Sequence, residues 1–424
     1  MPKLCNMPPK FVKLLLEVLH CDPALPGVEM LTQLTSNDWD RFISEAIEYR
    51  VAFQVNEYLH ADPLRLQLVP QACLSRLADS INLTVVGNLR QQANLNKLLS
   101  ACQVIDLPVI LMKGLWLVET VYRDIRGRSS SDVDLLFRPE DMPRFTQLAK
   151  ELGFDIPESV ADIRDLMPAK NEFSLIHSLN GSPFLIHWDV HWALTHPLKD
   201  KPIDEEKLWQ RSEIVTIAGM RCRSLCVEDH FLFLCFHAAI HHRFNYVGPR
   251  ALLDIARLIA LPPRPIDWGD LVARAHELGW DRGTWLMLDL VREHFGLQPP
   301  QVVLDSLQST DEESSHIKIA AMDAVFLSQN HHNKISKNII RLLSDSSIRN
   351  RARIVMNGIF PPKEVVATQF HTPIDSPWFF LLYLRRWGKV KKYFPSITGI
   401  FKGEDSRRNE LERGRVIDSW INKG

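Results

Sequence analysis

The chain has 424 residues, of which 46% are apolar and 24% charged, so its composition is that of a globular protein and not of a mainly disordered one. Fifty basic residues balance 51 acidic ones, which excludes a global electrostatic attraction to nucleic acid or to acidic membranes, although a local basic patch is compatible with this balance. The seven scattered cysteines indicate no disulfide framework and favour a cytoplasmic location, and we expect no membrane-spanning helix because no apolar run reaches about 18 residues.

Residues 1–100 are predicted to form a helical N-terminal region. FVKLLLEVLH indicates an amphipathic helix and not a signal peptide, because Glu17 and His20 interrupt its apolar run and no small-residue cleavage site follows. Ser36 or Asn37 is placed to cap a helix through DWDRFISEAI. The long amphipathic stretch SINLTVVGNLRQQANLNKLLSACQ is expected to pack against the sheet that follows it.

Residues 101–225 are predicted to form an α/β (α+β) core with a short mixed sheet, beginning with the buried strand PVILM and the helix LWLVETVY. A strand that ends in Lys113–Gly114 and opens a helix presents free backbone N–H groups and a positive dipole end to an anion. Gly114 lets the backbone approach closely, and Lys113 adds a point charge for a phosphate. An ordinary strand-to-helix turn is the alternative interpretation.

Two carboxylates stand at the head of the next apolar strand, DVDLLF. Because a strand alternates its side chains, Asp132 and Asp134 face the same way, about 6–7 Å apart for a rise of roughly 3.3 Å per residue. Asp-x-Asp alone occurs often by chance, but acidic residues are depleted in strands. Magnesium prefers oxygen ligands and keeps substrate phosphates in its shell. The pattern therefore predicts a two-metal site, with Arg128 and the serines of residues 129–131 just before it.

The stretch EFSLIHSLNGSPFLIHWDVHW predicts a β-hairpin around Asn180–Gly181. Asp189 lies in its second strand and is the candidate for a third carboxylate ligand. His187 and His191 share its strand face, which raises a His-Asp-His metal site as an alternative. Magnesium is favoured because the Asp132 and Asp134 carboxylates are hard ligands.

Residues 226–345 are predicted to be helical, and residues 346–424 to be a mixed region with a basic helix and a tail. His230, His237 and His241 share one helical face, either as substrate or metal contacts or as buried packing residues. WFFLLYLRRWGKVKKY is an amphipathic basic helix. Its basic face suits anionic lipid or RNA, and a solvated face is the alternative, favoured by the neutral total charge.

These motifs resemble the nucleotidyltransferase superfamily that includes DNA polymerase β and the antibiotic nucleotidyltransferases. The resemblance is strongest to a bacterial group called the uncharacterised nucleotidyltransferases and covers roughly residues 30–390. That group has a Lys-Gly ending the first strand, then a Tyr, an Arg, Asp-x-Asp-Leu-Leu and Asp-x-His-Trp, and later a His, an Arg and an Asp in helices. The matching positions are Lys113, Gly114, Tyr122, Arg128, Asp132, Asp134, Leu135, Leu136, Asp189, His191, Trp192, His237, Arg250 and Asp254.

The resemblance implies a transferase that uses two Mg²⁺ (or Mn²⁺) ions and an NTP, with ATP as the expected nucleotide. Asp132, Asp134 and Asp189 would be catalytic and bind metal. The other expected contacts are nucleotide-binding Lys113, Gly114, Arg128, Ser129 and Ser131, and substrate-contacting His191, His237, Arg250 and Asp254.

The sequence departs from the superfamily at one position of the phosphate-binding turn. Where the wider superfamily has Gly-Ser or Gly-Gly, Leu115 follows Gly114, so Ser129, Ser131 or Lys113 is expected to bind the terminal phosphates. The gap from Gly114 to Asp132 is also longer than in the antibiotic enzymes.

Three hypotheses follow for the activity. Genes of the group often lie near natural-product or polysaccharide genes, which implies a small-molecule or peptide acceptor. The same motifs resemble nucleotidyltransferase toxins that modify tRNA, and the basic helix would then bind RNA. A non-catalytic module that binds a nucleotide or a partner is the third hypothesis, and the complete set of three acids argues against it.

Overall fold

A mixed six-stranded sheet carries the predicted site motifs in the computed structural model, which describes residues 9–20, 28–154, 156, 167, 170–178, 185–197, 200–308, 314–326, 363, 366, 379–390 and 405–421. The strands are β1 (Ile110–Met112), β2 (Val133–Leu136), β3 (Glu172–Ser178), β4 (Leu185–His191), β5 (Glu213–Ile217) and β6 (Met220–Ser224). Their order across the sheet is β3-β4-β2-β1-β6-β5. The pairs β2–β4 and β1–β6 are parallel and the other three are antiparallel. This arrangement confirms the predicted α+β fold with a short mixed sheet.

The register of the sheet brings two of the three predicted acids together. In the parallel β2–β4 pair, Asp134 lies directly opposite Asp189. Paired residues on neighbouring strands point to the same face, and neighbouring strands are about 4.8 Å apart. Two carboxylates separated by about fifty positions in the sequence therefore become neighbours on one face of the sheet.

The N-terminal region is helical, as predicted. Its helices are α1 (Pro9–Leu19), α2 (Val28–Thr32), α3 (Ser36–Glu48), α4 (Ala52–His60), α5 (Pro63–Gln67) and α6 (Gln71–Val104), and the long α6 contacts strands β4 and β6. The prediction that Ser36 or Asn37 caps α3 was wrong. Thr35 is the cap, because its hydroxyl accepts a hydrogen bond from the backbone N–H of Asp38, whose carboxylate accepts one from the backbone N–H of Thr35.

Short helices connect the strands of the core. They are α7 (Gly114–Leu117), which continues into a π-helical turn (Val118–Tyr122), a 3₁₀ turn (Pro139–Asp141), α8 (Met142–Glu151) and α9 (Glu205–Arg211). The two strands of the predicted hairpin are present as the antiparallel pair β3–β4, while its Asn180–Gly181 turn lies outside the described residues.

Helices follow the sheet from residue 227 onward. They are α10 (Val227–Cys235), a second π-helical turn (Phe236–His241), α11 (Pro249–Ala260), α12 (Trp268–Leu278), α13 (Asp281–Phe295), α14 (Gln301–Leu307) and α15 (Ser314–Val325). π-helical turns are rare and occur frequently at functional sites. The second of these turns contributes Phe236, His237 and His241 to the lining of a cavity described below.

Two further helices are described near the C-terminus, Phe379–Val390 and Asp405–Ile421. The first contains the predicted basic helix up to residue 390, and Lys391 and Lys392 lie outside the described residues. In the second of these helices, Ile417 and Trp420 are buried, so this helix packs against the rest of the described structure. In the part of the chain that the structure describes, no helix combines the length and apolarity needed to cross a membrane.

Candidate active site

Two cavities adjoin each other above the face of the sheet that carries the acids. The first has a volume of about 180 Å³ and the second of about 390 Å³, and both are lined by Lys113, Asp132, Asp134, His237 and His242. Every predicted site residue lines at least one of them. The first cavity takes Lys113, Gly114, Arg128, Ser129, Ser131, Asp132, Asp134, His237, Arg250 and Asp254, and the second adds Asp189 and His191.

Asp134 is the buried member of the acid pair. Lys113 Nζ donates a hydrogen bond to Asp134 Oδ1 at 3.0 Å, and His191 Nε2 lies 3.4 Å from the same oxygen. Burial alone raises the pKa of Asp134, but the Lys113 charge and the His191 hydrogen bond outweigh it and hold that pKa well below its usual range. Burial opposes the charge on Lys113 as well, and Asp134 nevertheless raises the Lys113 pKa above its usual value. Asp134 and Lys113 are therefore both charged at neutral pH.

His191 joins Asp134 to a carboxylate that sequence reasoning missed. Its Nδ1 lies 2.9 Å from Glu172 Oε2, and the two residues lie directly opposite each other in the β3–β4 pair. Although burial lowers the pKa of His191, hydrogen bonds to Asp134 and Glu172 raise it to about 9. The sequence signal that could have identified Glu172 is its position as an acidic residue at the start of an apolar strand, the same pattern as in DVDLLF.

Asp189 faces the second cavity from β4. Ser174 Oγ donates a hydrogen bond to Asp189 Oδ1 at 2.5 Å, and His187 Nε2 lies 3.2 Å from the same oxygen. Burial raises the pKa of Asp189, and the neighbouring negative charge of Asp134 acts in the same direction. A carboxylate with a raised pKa is a better proton acceptor than an ordinary one.

The donor set fits a hard divalent cation, although no three His, Cys, Asp or Glu side chains of the described residues converge into a complete metal site. Each acid has another partner here: Asp134 has Lys113, Asp189 has Ser174, and Asp132 Oδ1 accepts a hydrogen bond from Ser131 Oγ at 3.2 Å. Carboxylate oxygens on adjacent strands are the ligands that Mg²⁺ prefers, and substrate phosphates and water complete its shell in such sites.

The turn after β1 approaches the acid pair as closely as a glycine permits. Lys113 has a φ of 47°, in the left-handed region that L-residues rarely adopt. A Cβ on Gly114 would lie 2.3 Å from Ser130 Oγ, which itself donates to the backbone carbonyl of Asp132. A side chain at this position would displace the Ser130 hydroxyl, so the turn packs directly against the segment that leads into Asp132. Leu115, at the position where the wider superfamily has Ser or Gly, is fully buried.

Helix α11 holds the serine-rich segment before Asp132 through a buried hydrogen-bond network. Asp254 accepts hydrogen bonds from Arg128 Nε at 2.8 Å, Arg128 Nη2 at 3.0 Å and the Tyr122 hydroxyl at 2.8 Å. The two parallel Arg128 bonds form a bidentate pair, and both side chains are almost completely buried. Arg128 and Asp254 therefore neutralise each other. Both are part of the wall of the first cavity.

Arg250, one turn earlier on α11, is the cation of the first cavity that no described carboxylate neutralises through an ion pair. Its Nη1 donates to the Ser129 carbonyl at 2.9 Å and to Ser129 Oγ at 3.0 Å. Burial and the neighbouring Arg128 charge lower the pKa of Arg250 to about 10, so it is still positively charged at neutral pH. Arg50 adds a second guanidinium nearby, donating to Ser131 Oγ at 3.2 Å.

The histidines of the helical region divide into two groups. His230 is completely buried, stacks on Trp116 with ring centroids 3.7 Å apart, and lies with Nδ1 3.0 Å from the Leu225 carbonyl oxygen. Burial lowers the pKa of His230 to about 3, which supports its interpretation as a neutral packing residue. His237 and His241, from the second π-helical turn, line the second cavity together with His242, which was not predicted.

Comparison with known proteins gives one family match. A family described as uncharacterised nucleotidyltransferase matches residues 35–296, more than half of the chain. No curated protein and no solved structure matches the chain.

Proposed function

Because the chain belongs to the uncharacterised nucleotidyltransferase family, we propose that it moves a nucleoside monophosphate from an NTP to a hydroxyl or phosphate group of an acceptor. The observation that carries this proposal is the placement of Asp132 and Asp134 in the walls of both cavities, with Asp189 in the wall of the second. An acceptor oxygen attacks the α-phosphorus, the bond from that phosphorus to the bridging oxygen breaks, and pyrophosphate leaves.

The first cavity is the nucleotide side in this proposal. Arg250, Ser129, Ser131, Lys113 and the backbone N–H of Gly114 bind the phosphates. The Arg250 guanidinium is the strongest contributor, because no carboxylate among the described residues forms an ion pair with it. Arg128 and Asp254 act on the nucleotide indirectly, by positioning the backbone of the serine-rich segment.

Asp132, Asp134 and Asp189 are the proposed ligands of two Mg²⁺ or Mn²⁺ ions. Such ions, when bound, supply charge neutralisation for the phosphates and activation of the attacking oxygen. Asp189 accepts the proton of the acceptor hydroxyl in this proposal, since its carboxylate lines the second cavity. Lys113 is free to contact a phosphate once Asp134 has another positive partner.

The acceptor is proposed to be a small molecule or a peptide, with ATP as the nucleotide to test first. The protein would be incubated with each α-labelled NTP, with Mg²⁺ or Mn²⁺, and with a cell extract that contains metabolites and RNA. Label transfer and pyrophosphate release would be compared for the wild type, Asp132→Asn and the control Asp124→Asn, whose carboxylate pairs with Arg126 and lines none of the cavities described above.

Transfer that disappears in Asp132→Asn and persists in Asp124→Asn supports the proposal. The labelled fraction then distinguishes a small molecule or peptide from tRNA. Nucleotide binding by the wild type without transfer in any fraction contradicts the proposal and favours a binding module.

A further inference from the structure

The second cavity differs from the first in its balance of charged side chains. The carboxylates that line it are Asp132, Asp134, Glu172, Asp189 and Asp200. Lys113 is the sole lysine or arginine among the described residues of its lining and is hydrogen-bonded to Asp134, while His191 lies between Asp134 and Glu172. The wall of the first cavity, in contrast, has three cationic side chains, Arg128, Arg250 and Lys113, for three carboxylates, Asp132, Asp134 and Asp254.

Two of these carboxylates are not needed by the proposed metal ions. Glu172 heads β3, and nearly half of its side chain is exposed (46%) although one oxygen lies beside His191. Asp200 accepts a hydrogen bond from the backbone N–H of His196 at 3.0 Å. Both leave carboxylate oxygens available to a ligand, because each carboxylate has about four acceptor positions.

Aromatic side chains complete the wall of the second cavity. Phe233 and Phe236 line it, and Phe233 already has the Lys113 ammonium group 4.7 Å from its ring centroid. An ammonium group is stabilised both by carboxylates and by the faces of aromatic rings. A phosphate group finds neither an arginine nor an unpaired lysine among the described lining residues.

We infer that the second cavity is the acceptor side of the site, and that it selects a small acceptor carrying an ammonium group in addition to the reacting hydroxyl. This inference rests on the proposed function and narrows its acceptor. Two divalent ions and a triphosphate carry charges that largely cancel, so Glu172 and Asp200 keep the cavity negative in the loaded enzyme. A volume of about 390 Å³ holds a molecule the size of a disaccharide or dipeptide.

Calorimetry with three matched probes tests this inference. The probes are the disaccharide of glucosamine, its N,N′-diacetyl form and glucose 6-phosphate, which are cationic, neutral and anionic. Each would be titrated into the protein with Mg²⁺ and the non-transferable analogue α,β-methylene-ATP, at about pH 7, where the amino groups of the sugar are largely protonated and histidines with ordinary pKa values are largely neutral. The variants are Asp200→Asn alone, Glu172→Gln with Asp200→Asn, and the control Glu277→Gln, a surface carboxylate that pairs with Lys207.

The diamine is expected to bind about tenfold more tightly than the diacetyl form, an effect of the size of one charge-assisted contact. The double variant should abolish this preference, the single variant should reduce it, and Glu277→Gln should retain it. Equal binding of the two disaccharides, tighter binding of the phosphate, no binding of the diamine, or a preference unchanged in the double variant would overturn the inference.

Failure of the proposed function is visible separately in the same experiment. If α,β-methylene-ATP does not bind to the wild type, the nucleotidyl-transfer proposal is contradicted. The preference for the diamine can then still be measured on the nucleotide-free protein. A melting curve for each variant confirms that it is folded.

Discussion

Replacing Asp254 with alanine tests whether α11 holds the nucleotide side of the site in place. The substitution removes the acceptor of three buried hydrogen bonds, two from Arg128 and one from Tyr122, and leaves a buried guanidinium without its counter-charge. Removing one partner of a buried ion pair costs about 3–5 kcal/mol, because the remaining charge is neither solvated nor paired. We therefore expect Asp254→Ala to lower the free energy of unfolding by about that amount.

Urea denaturation followed by tryptophan fluorescence measures this cost. The control is Arg126→Ala, which breaks an ion pair with Asp124 at the exposed surface and should shift the unfolding midpoint far less. The double variant Arg128→Met with Asp254→Leu should recover most of the lost stability, because no buried charge is left. An Asp254→Ala protein within about 1 kcal/mol of the wild type would refute the assignment of a buried, structural pair.

Three further results are expected. Asp134→Asn should lower the rate of label transfer by about 100-fold or more, and an unchanged rate would contradict its proposed role. Arg250→Ala should raise the KM for the NTP by about 10- to 100-fold, as the loss of one charged hydrogen-bond donor predicts, and a change in kcat alone would contradict phosphate binding. Burial raises the pKa of Glu228, but hydrogen bonds from Arg264 and the Asp267 N–H outweigh it and lower the pKa from 4.5 to about 2. The stability that ionised Glu228 contributes is therefore complete above about pH 4.5 and is lost as the pH falls toward 2. Glu228→Gln should make the unfolding midpoint depend less on pH over that range, and an unaltered pH dependence would contradict the assignment.

The sequence predicted the parts of the site that are coded locally. A strand ending in Lys113–Gly114 and the acid pair Asp132 and Asp134 are each contained in a few consecutive residues. Their chemistry therefore shows in residue type and alternation alone. The steric reason for the glycine, contact with Ser130 Oγ, became visible only in the structure.

The hairpin β5–β6 was missed, although its alternation is clear in retrospect. Its turn is Ala218–Gly219, with φ values of 49° and 80°, and alanine rarely adopts a positive φ. Arg221 and Arg223 alternate with the buried Cys222 in β6, so the strand is a half-exposed one. Its composition is less apolar than that of β1 or β2, which made it harder to recognise as part of the sheet.

Long-range pairings could not be obtained from one sequence. The Arg128–Asp254 pair joins positions 126 residues apart, and the contact between Glu172 and His191 depends on the register of two strands. Neither the composition nor the periodicity of the sequence indicates which residues form these two contacts. The sequence predicts that Arg128 binds phosphate and Asp254 binds substrate, whereas in the structure the two side chains form an ion pair with each other.

The predicted boundary at residue 225 divides the sequence but not the site. Residues before it supply the carboxylates, whose spacing is set by the β2–β4 register. Residues after it supply Arg250 and Asp254 to the wall of the first cavity and His237 to the walls of both. A core without the helical region would expose Arg128 without its counter-charge and leave the nucleotide side without Arg250. The helical region is for this reason a component of the candidate active site, and the proposed phosphate contacts depend on its packing against the sheet.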